Sequence, residues 1–382
     1  MPPSFRPLLA ALLCAALASC RAFGALDLIE VPDAKAWNLE ELHDADGHAY
    51  SVDLTGDVEY LLRRGRRALS PGDGGDSPRG SKREGIRDPE RACLKNLVAL
   101  ARFGPRRENV ARLQVMWCCR CATECPWSLS RERAVLELGE HARRLGVGTP
   151  LPLDPDRTPV GPDELAQLVG GLIAAVRPAL SGGEPAAGAV GEACERLRAA
   201  SLDVAGGRRV LSTLHGLLGA LARGDGARAP LAALNEEVQV ACVSQTLAAA
   251  LRDPAPRVRA AALRASVRSA GKDILGLVLA QLEREPSQLV VVEALRLVGE
   301  HGLPEPGPEL PPETARDLRE RQLWTVARLA LEDADGRVRA QAMLALAAVG
   351  EAPVGGLSEL EWERWWRARS PAGPPSDPGN GL

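Results

Sequence analysis

Two stretches near the end of the chain share one pattern. Residues 251–271 read LRDPAPRVRAAALRASVRSAG, and residues 331–350 read LEDADGRVRAQAMLALAAVG. Each shows the tail of one helix, a turn led by Asp, then Val-Arg, then an Ala/Leu-rich helix closing near Gly. A third copy lies between them. Arg259, Val291 and Arg339 correspond, followed by Ala262, Ala294 and Ala342, then Leu263, Leu295 and Met343. A looser match at 129–139 carries Arg131 and Ala134. One helix pair cannot bury its apolar face alone, so a repeated pair predicts neighbours stacked into a continuous core. Small Ala residues at the inner positions let those neighbours approach closely.

Composition agrees with helices. Hydrophobic residues make up 45% of the 382, yet aromatics only 3%. Ala, Leu and Val carry the remainder, and Ala and Leu are strong helix formers. The expected fold is therefore all-α: an α-solenoid of stacked antiparallel helix pairs after a small irregular N-terminal segment. Helical runs are expected at 89–103, 108–124, 130–145, 162–180, 190–200 and 208–222. Two more span 235–270, and further pairs span 273–302 and 315–350.

The repeat pattern resembles the HEAT family, in the short bacterial form shared with bilin lyases. In that family a turn bearing Asp and Pro precedes Val-Arg, with Ala three residues after the Arg. Asp253-Pro254, Val258-Arg259 and Ala262 match, as do Asp333, Val338-Arg339 and Ala342. The middle unit departs, with Glu285-Pro286 at the turn and Val291 in the arginine place. The resemblance covers 245–350. It implies inter-repeat contacts by Arg259 and Arg339, close packing at Ala262, Ala294 and Ala342, and a long surface suited to proteins or peptides. The bilin-lyase relatives imply a pigment site, for which no residues stand out.

The N-terminus reads MPPSFRPLLAALLCAALASC. One Arg precedes an apolar run too short to span a bilayer comfortably. Leu17-Ala18-Ser19-Cys20 resembles a bacterial lipobox, whose Cys is lipidated and becomes the mature N-terminus. A lipoprotein signal peptide at 1–19 and lipidation at Cys20 follow as expectations, and place the protein in the cell envelope as a membrane-anchored lipoprotein. Ordinary secretion, with cleavage near residues 22–24, is the alternative. The segments then run as follows: irregular 20–69, flexible linker 70–86, HEAT-like helical unit 87–146, linker 147–163, HEAT-like array with a capping helix 164–369, and disordered tail 370–382. Residues 21–60 hold ten acidic and two basic residues, hence −8, whereas 61–112 hold fourteen basic and six acidic, hence +8. These segments read as covering one another, or the basic one as a face for anionic lipid. The overall charge of −3 gives no reason to expect a nucleic-acid partner.

Cys118 and Cys121 have the C-x-x-C spacing of zinc and redox sites, and Cys125 follows one turn later. At about 100° per residue the three share a helix face, which is also the spacing of a buried stripe. Core packing, a disulfide to another helix, and a metal site all stay open, and a metal or redox protein built on Cys118, Cys121 and Cys125 is the alternative function. Cys194 and Cys242 read as core. His43, Asp44, Asp46 and His48 surround an Asp-Ala-Asp-Gly that recurs at 333–336, so turn chemistry accounts for them better than a metal. Arg223-Gly224-Asp225 reads as a chance tripeptide. His141, His215 and His301 stand singly. Ser358 opens a capping box ahead of Trp362, Trp365 and Trp366, which suits a terminal cap. No catalytic set stands out, and no cofactor is implied. The sequence points to a non-catalytic scaffold for an unidentified protein or peptide partner.

Overall fold

The computed structural model describes residues 108–349, without 155, 185–187, 222–225, 272, 283–284 and 304–309, and a few positions between 360 and 368. Expectations for 1–19, Cys20, 20–69, 70–86, the helix at 89–103, 223–225, Ser358, Trp362, Trp366 and 370–382 lie outside the described residues. Among those described, 79% are helical and none is in a strand. No described helix is long and apolar enough to cross a membrane.

Eleven helices are described. They are α1 Glu108–Glu124, α2 Ser128–Leu145, α3 Pro162–Leu180, α4 Ala189–Ala199, α5 Val204–Ala220 and α6 Arg228–Ala250. There follow α7 Pro256–Ala270, α8 Asp273–Leu282, α9 Gln288–His301, α10 Pro312–Glu332 and α11 Gly336–Ala348. Prolines stand at the first turns of α3, α7 and α10, where a missing N–H costs no intrahelical bond. The same physics corrects one expectation. The sequence puts the start of the sixth helix at 235, beyond a break ending at Pro230. The helix instead begins at Arg228, with Pro230 inside its first turn. Likewise α5 starts at Val204 rather than 208, because Asp203 caps it by accepting from Gly206 N at 2.6 Å.

The chain groups into two compact units. Among the described residues, one takes 108–130 and Leu153–Cys242, the other Arg131–Pro152 and 243–349.

In the first unit α3 packs on α4 and α5, and α1 packs on α5. Leu172, Val176, Cys194, Leu197, Leu214 and Trp117 are buried there. Arg228 Nη1 donates to the carbonyls of Leu218 at 2.9 Å and Leu221 at 3.1 Å, closing the C-terminus of α5. Gly207 leaves room for Cys242, since a Cβ at 207 would stand 2.3 Å from Cys242 Sγ.

In the second unit α7, α9 and α11 form a row, each packing on the next. Helices α8 and α10 form a second layer: α8 packs on α7, α9 and α10, and α10 packs on α11. Their shared core includes Leu275, Leu295, Val298, Val326 and Leu346, and Trp365 packs against it part-buried. The row extends to α2. A Cβ added to Gly139 would lie 2.8 Å from Ala265 Cβ and 2.9 Å from Ala265 Cα. Only a residue without a side chain lets these two helices touch backbone to backbone.

This contact makes a prediction. Gly139→Ala gains about 1 kcal/mol of helix propensity, but overpacking against backbone costs roughly 1–3 kcal/mol. The variant should be destabilised. Gly170→Ala in α3 meets nothing within 4 Å, and should be stabilised by about 0.5–1 kcal/mol. Thermal melts of both variants check the opposite signs. Equal gains would mean that α2 and α7 do not meet at Gly139.

Candidate functional site

The turns of the second unit repeat in atomic detail. Asp253 Oδ1 accepts from Ala255 N at 2.8 Å, Glu285 Oε1 from Ser287 N at 3.0 Å, and Asp333 Oδ1 from Asp335 N at 2.8 Å. In each the acid accepts from the N–H two residues on, the geometry that favours Asp at turns. The arginines repeat as well. Arg259 Nη1 donates to Asp253 O at 2.8 Å, and Arg339 Nη1 donates to Asp333 O at 2.8 Å. Each thus closes the turn that precedes its own helix.

Within the second unit the arginines also join successive helix pairs. Arg131 donates from Nε and Nη2 to both carboxylate oxygens of Asp253, at 2.8 and 2.9 Å. Arg259 makes the same forked contact with Glu285, at 3.1 and 2.5 Å. Glu285 therefore serves where Asp stands in the other turns. Two parallel N–H···O bonds hold such a pair in a fixed geometry. At the third step the arginine place holds Val291, which is buried at 5% exposure. An apolar contact replaces the fork there. The alanines of this register, Ala134, Ala262, Ala294 and Ala342, are all fully buried at 0% exposure.

Helix spacing follows the same register. Six residues after the arginine place stand Ala265, Leu297 and Ala345, and eight after it stand Gly139, Val267, Gly299 and Ala347. Gly139 meets Ala265 on the next helix. Gly299 meets Ala345 likewise, where an added Cβ would lie 3.4 Å from Ala345 Cα. Between α7 and α9 the two places hold Val267 and Leu297. These are bulkier, and a groove of about 790 Å³ lies there. Val267 and Leu297 line it with Gly271, which ends α7 at φ 70°. Arg264, Arg268, Arg296, Glu300 and His301 line the rest. This is a size suited to small ligands or a few peptide side chains.

The groove's charges are organised by Glu293, whose side chain is only 10% exposed. Arg264 donates to its two oxygens at 2.9 and 3.0 Å, and Arg296 donates to the same two at 2.6 and 3.2 Å. Burial alone pushes the Glu293 carboxyl up. The hydrogen bonds and charges of Arg264 and Arg296 outweigh burial and hold it below its ordinary 4.5. The same hydrogen bonds raise Arg264 and Arg296 further. At the rim Arg296 pairs with Glu300, and Arg268 pairs with Glu140 of α2.

The cysteines lie elsewhere. Cys118, Cys121 and Cys125 are buried, and so is Cys119 at 0% exposure, making the buried face wider than a three-residue stripe. Burial pushes the Cys194 thiol up to about 11 and the Cys242 thiol well above its ordinary range. Thiols held protonated in this way are poor nucleophiles and poor metal ligands. Among the described residues no three His, Cys, Asp or Glu side chains group to hold a metal ion. His141 and His215 are buried, and His301 is exposed at the groove.

Comparison with protein families, characterised proteins and solved structures gives no match. Sequence reasoning passed over Arg264, Arg268 and Arg296. A signal was present: Arg264 and Arg296 occupy one register place, five after Arg259 and Val291, beside the step where the Gly/Ala pair is missing.

Proposed function

We propose that the chain is a non-catalytic protein-interaction scaffold, an α-solenoid of HEAT-like repeats tethered in the bacterial cell envelope by lipid on Cys20. The observation that carries the repeat reading is the recurrence of one junction. A second-helix arginine forks onto the acid of the next turn at Arg131–Asp253 and again at Arg259–Glu285. A row of helices joined this way offers an extended surface to a partner. Fold alone does not name a function, so the scaffold role rests on that surface and needs a binding test.

Affinity capture from envelope extract is that test. A scaffold retains a defined protein at constant stoichiometry, and heat-unfolded chain does not. Recovery of no protein by the folded chain contradicts the proposal. The anchor has its own test. A fatty-acid probe should label the wild type, and Cys20→Ala should lose the label and leave the membrane fraction. One acyl chain gives marginal binding and several give stable anchoring, so partitioning should change completely. Unchanged partitioning of Cys20→Ala would exclude the anchor.

A further inference from the structure

We infer that the groove between α7 and α9 binds the carboxylates of an acidic peptide, a refinement that rests on the scaffold reading above. Three arginines line it, and among the described residues Glu293, Glu300 and Glu140 pair with them, so an incoming carboxylate must displace the more exposed of these partners. Glu293 clamps two of those arginines. Among the described residues Arg264 gives Nε and Nη2 to that clamp, which leaves Nη1 for another acceptor. Among the same residues Arg268 gives Nη1 to Glu140 and keeps Nε and Nη2. Clamped guanidiniums with spare donors are pre-oriented for a carboxylate.

The competing groups are weak. The side chains of Arg268 and Glu140 are 50% and 38% exposed, and that of Glu300 is 49% exposed. Exposed ion pairs contribute little, so a forked contact with an incoming carboxylate can replace them. Both α7 and α9 end at this groove, with Gly271 and Gly302 as their closing residues. Arg268 stands in the last turn of α7 and offsets its negative end, and His301 stands in the last turn of α9. A peptide suits the groove better than a nucleic acid. Val267 and Leu297 in the lining can cover the methylenes of Glu side chains, which a phosphate backbone does not offer.

The experiment is fluorescence polarisation with the full chain and a labelled twelve-residue polyglutamate peptide at low salt. Polylysine and single-stranded DNA of equal length are the comparison probes. The expected result is saturable binding of polyglutamate, weakened about tenfold or more by Arg268→Glu and by high salt. Arg264→Gln should weaken it as well, and so should Arg268→Gln, whose melting temperature should stay near wild type because the pair it gives up is half exposed. No binding, equal binding by Arg268→Glu, or tighter binding of DNA each overturns the inference. The scaffold reading fails separately. If wild type and Arg268→Glu retain the same envelope protein equally, the scaffold stands and the groove is not its contact surface.

Discussion

Arg131→Met should lower the unfolding free energy by about 3 kcal/mol in urea titration. The side chains of Arg131 and Asp253 are 13% and 9% exposed, and they share two hydrogen bonds. Removing the arginine leaves a carboxylate that water reaches poorly, and breaking such a pair costs roughly 3–5 kcal/mol when fully buried. The lower end applies because some exposure remains. Adding Asp253→Asn should restore more than half of the loss. Asn removes the stranded charge and keeps an oxygen for the Ala255 N–H. A loss within ~0.5 kcal/mol for the single variant, the range of ordinary surface changes, would mean that Arg131 does not join α2 to the turn before α7.

Acid should destabilise the protein from about pH 6.5 downward, and His141 is the reason. Burial, together with the nearby Arg144, lowers its pKa from 6.5 to about 3. The folded state therefore keeps His141 neutral where the unfolded chain takes up a proton. Stability is full above pH 6.5 and falls as the pH drops toward 3, by roughly 1.4 kcal/mol per pH unit. Near pH 4.5 the loss is about 2–3 kcal/mol, a sizeable share of a typical domain's stability. His141→Leu should flatten the slope between pH 6.5 and 4.5. Below about 4.5 both proteins lose more, because Glu293 is depressed when folded and its contribution fades as the pH falls through its folded pKa. Identical slopes for wild type and His141→Leu between pH 6.5 and 4.5 would remove His141 from the account.

Much of the helical architecture was legible in the sequence, and the site was not. Val-Arg-x-x-Ala marked the starts of α7 and α11 because the arginine closes its own turn six residues upstream, a local contact. The cysteine stripe on α1 was legible as a helix face for the same reason. Contacts between distant segments left no local mark. Arg131 and Asp253 are 122 residues apart, so nothing near the 129–139 match named its partner. Glu285 looked like a departure from the pattern, yet a longer carboxylate reaches both Arg259 and its own turn. The groove depends on what is missing from a register, a Gly/Ala pair replaced by Val267 and Leu297. That substitution looks conservative in a sequence and alters spacing only between two stacked helices. His141 gave no sign of its burial, since a single His on a helix shows nothing of what covers it.

Helix α2 meets α7 at Gly139 and Ala265 and so continues the row of α7, α9 and α11. Zero-length coupling tests it directly. Glu132 and Arg257 face each other at 3.1 Å across that junction, with side chains 30% and 43% exposed. Arg257→Lys supplies an amine that carbodiimide can join to a neighbouring carboxylate. Peptide mapping by mass spectrometry should then recover a crosslink between positions 132 and 257 in the folded variant, lost in urea. Coupling of position 257 only to other carboxylates, or no more coupling at 132 than in urea, would contradict the row.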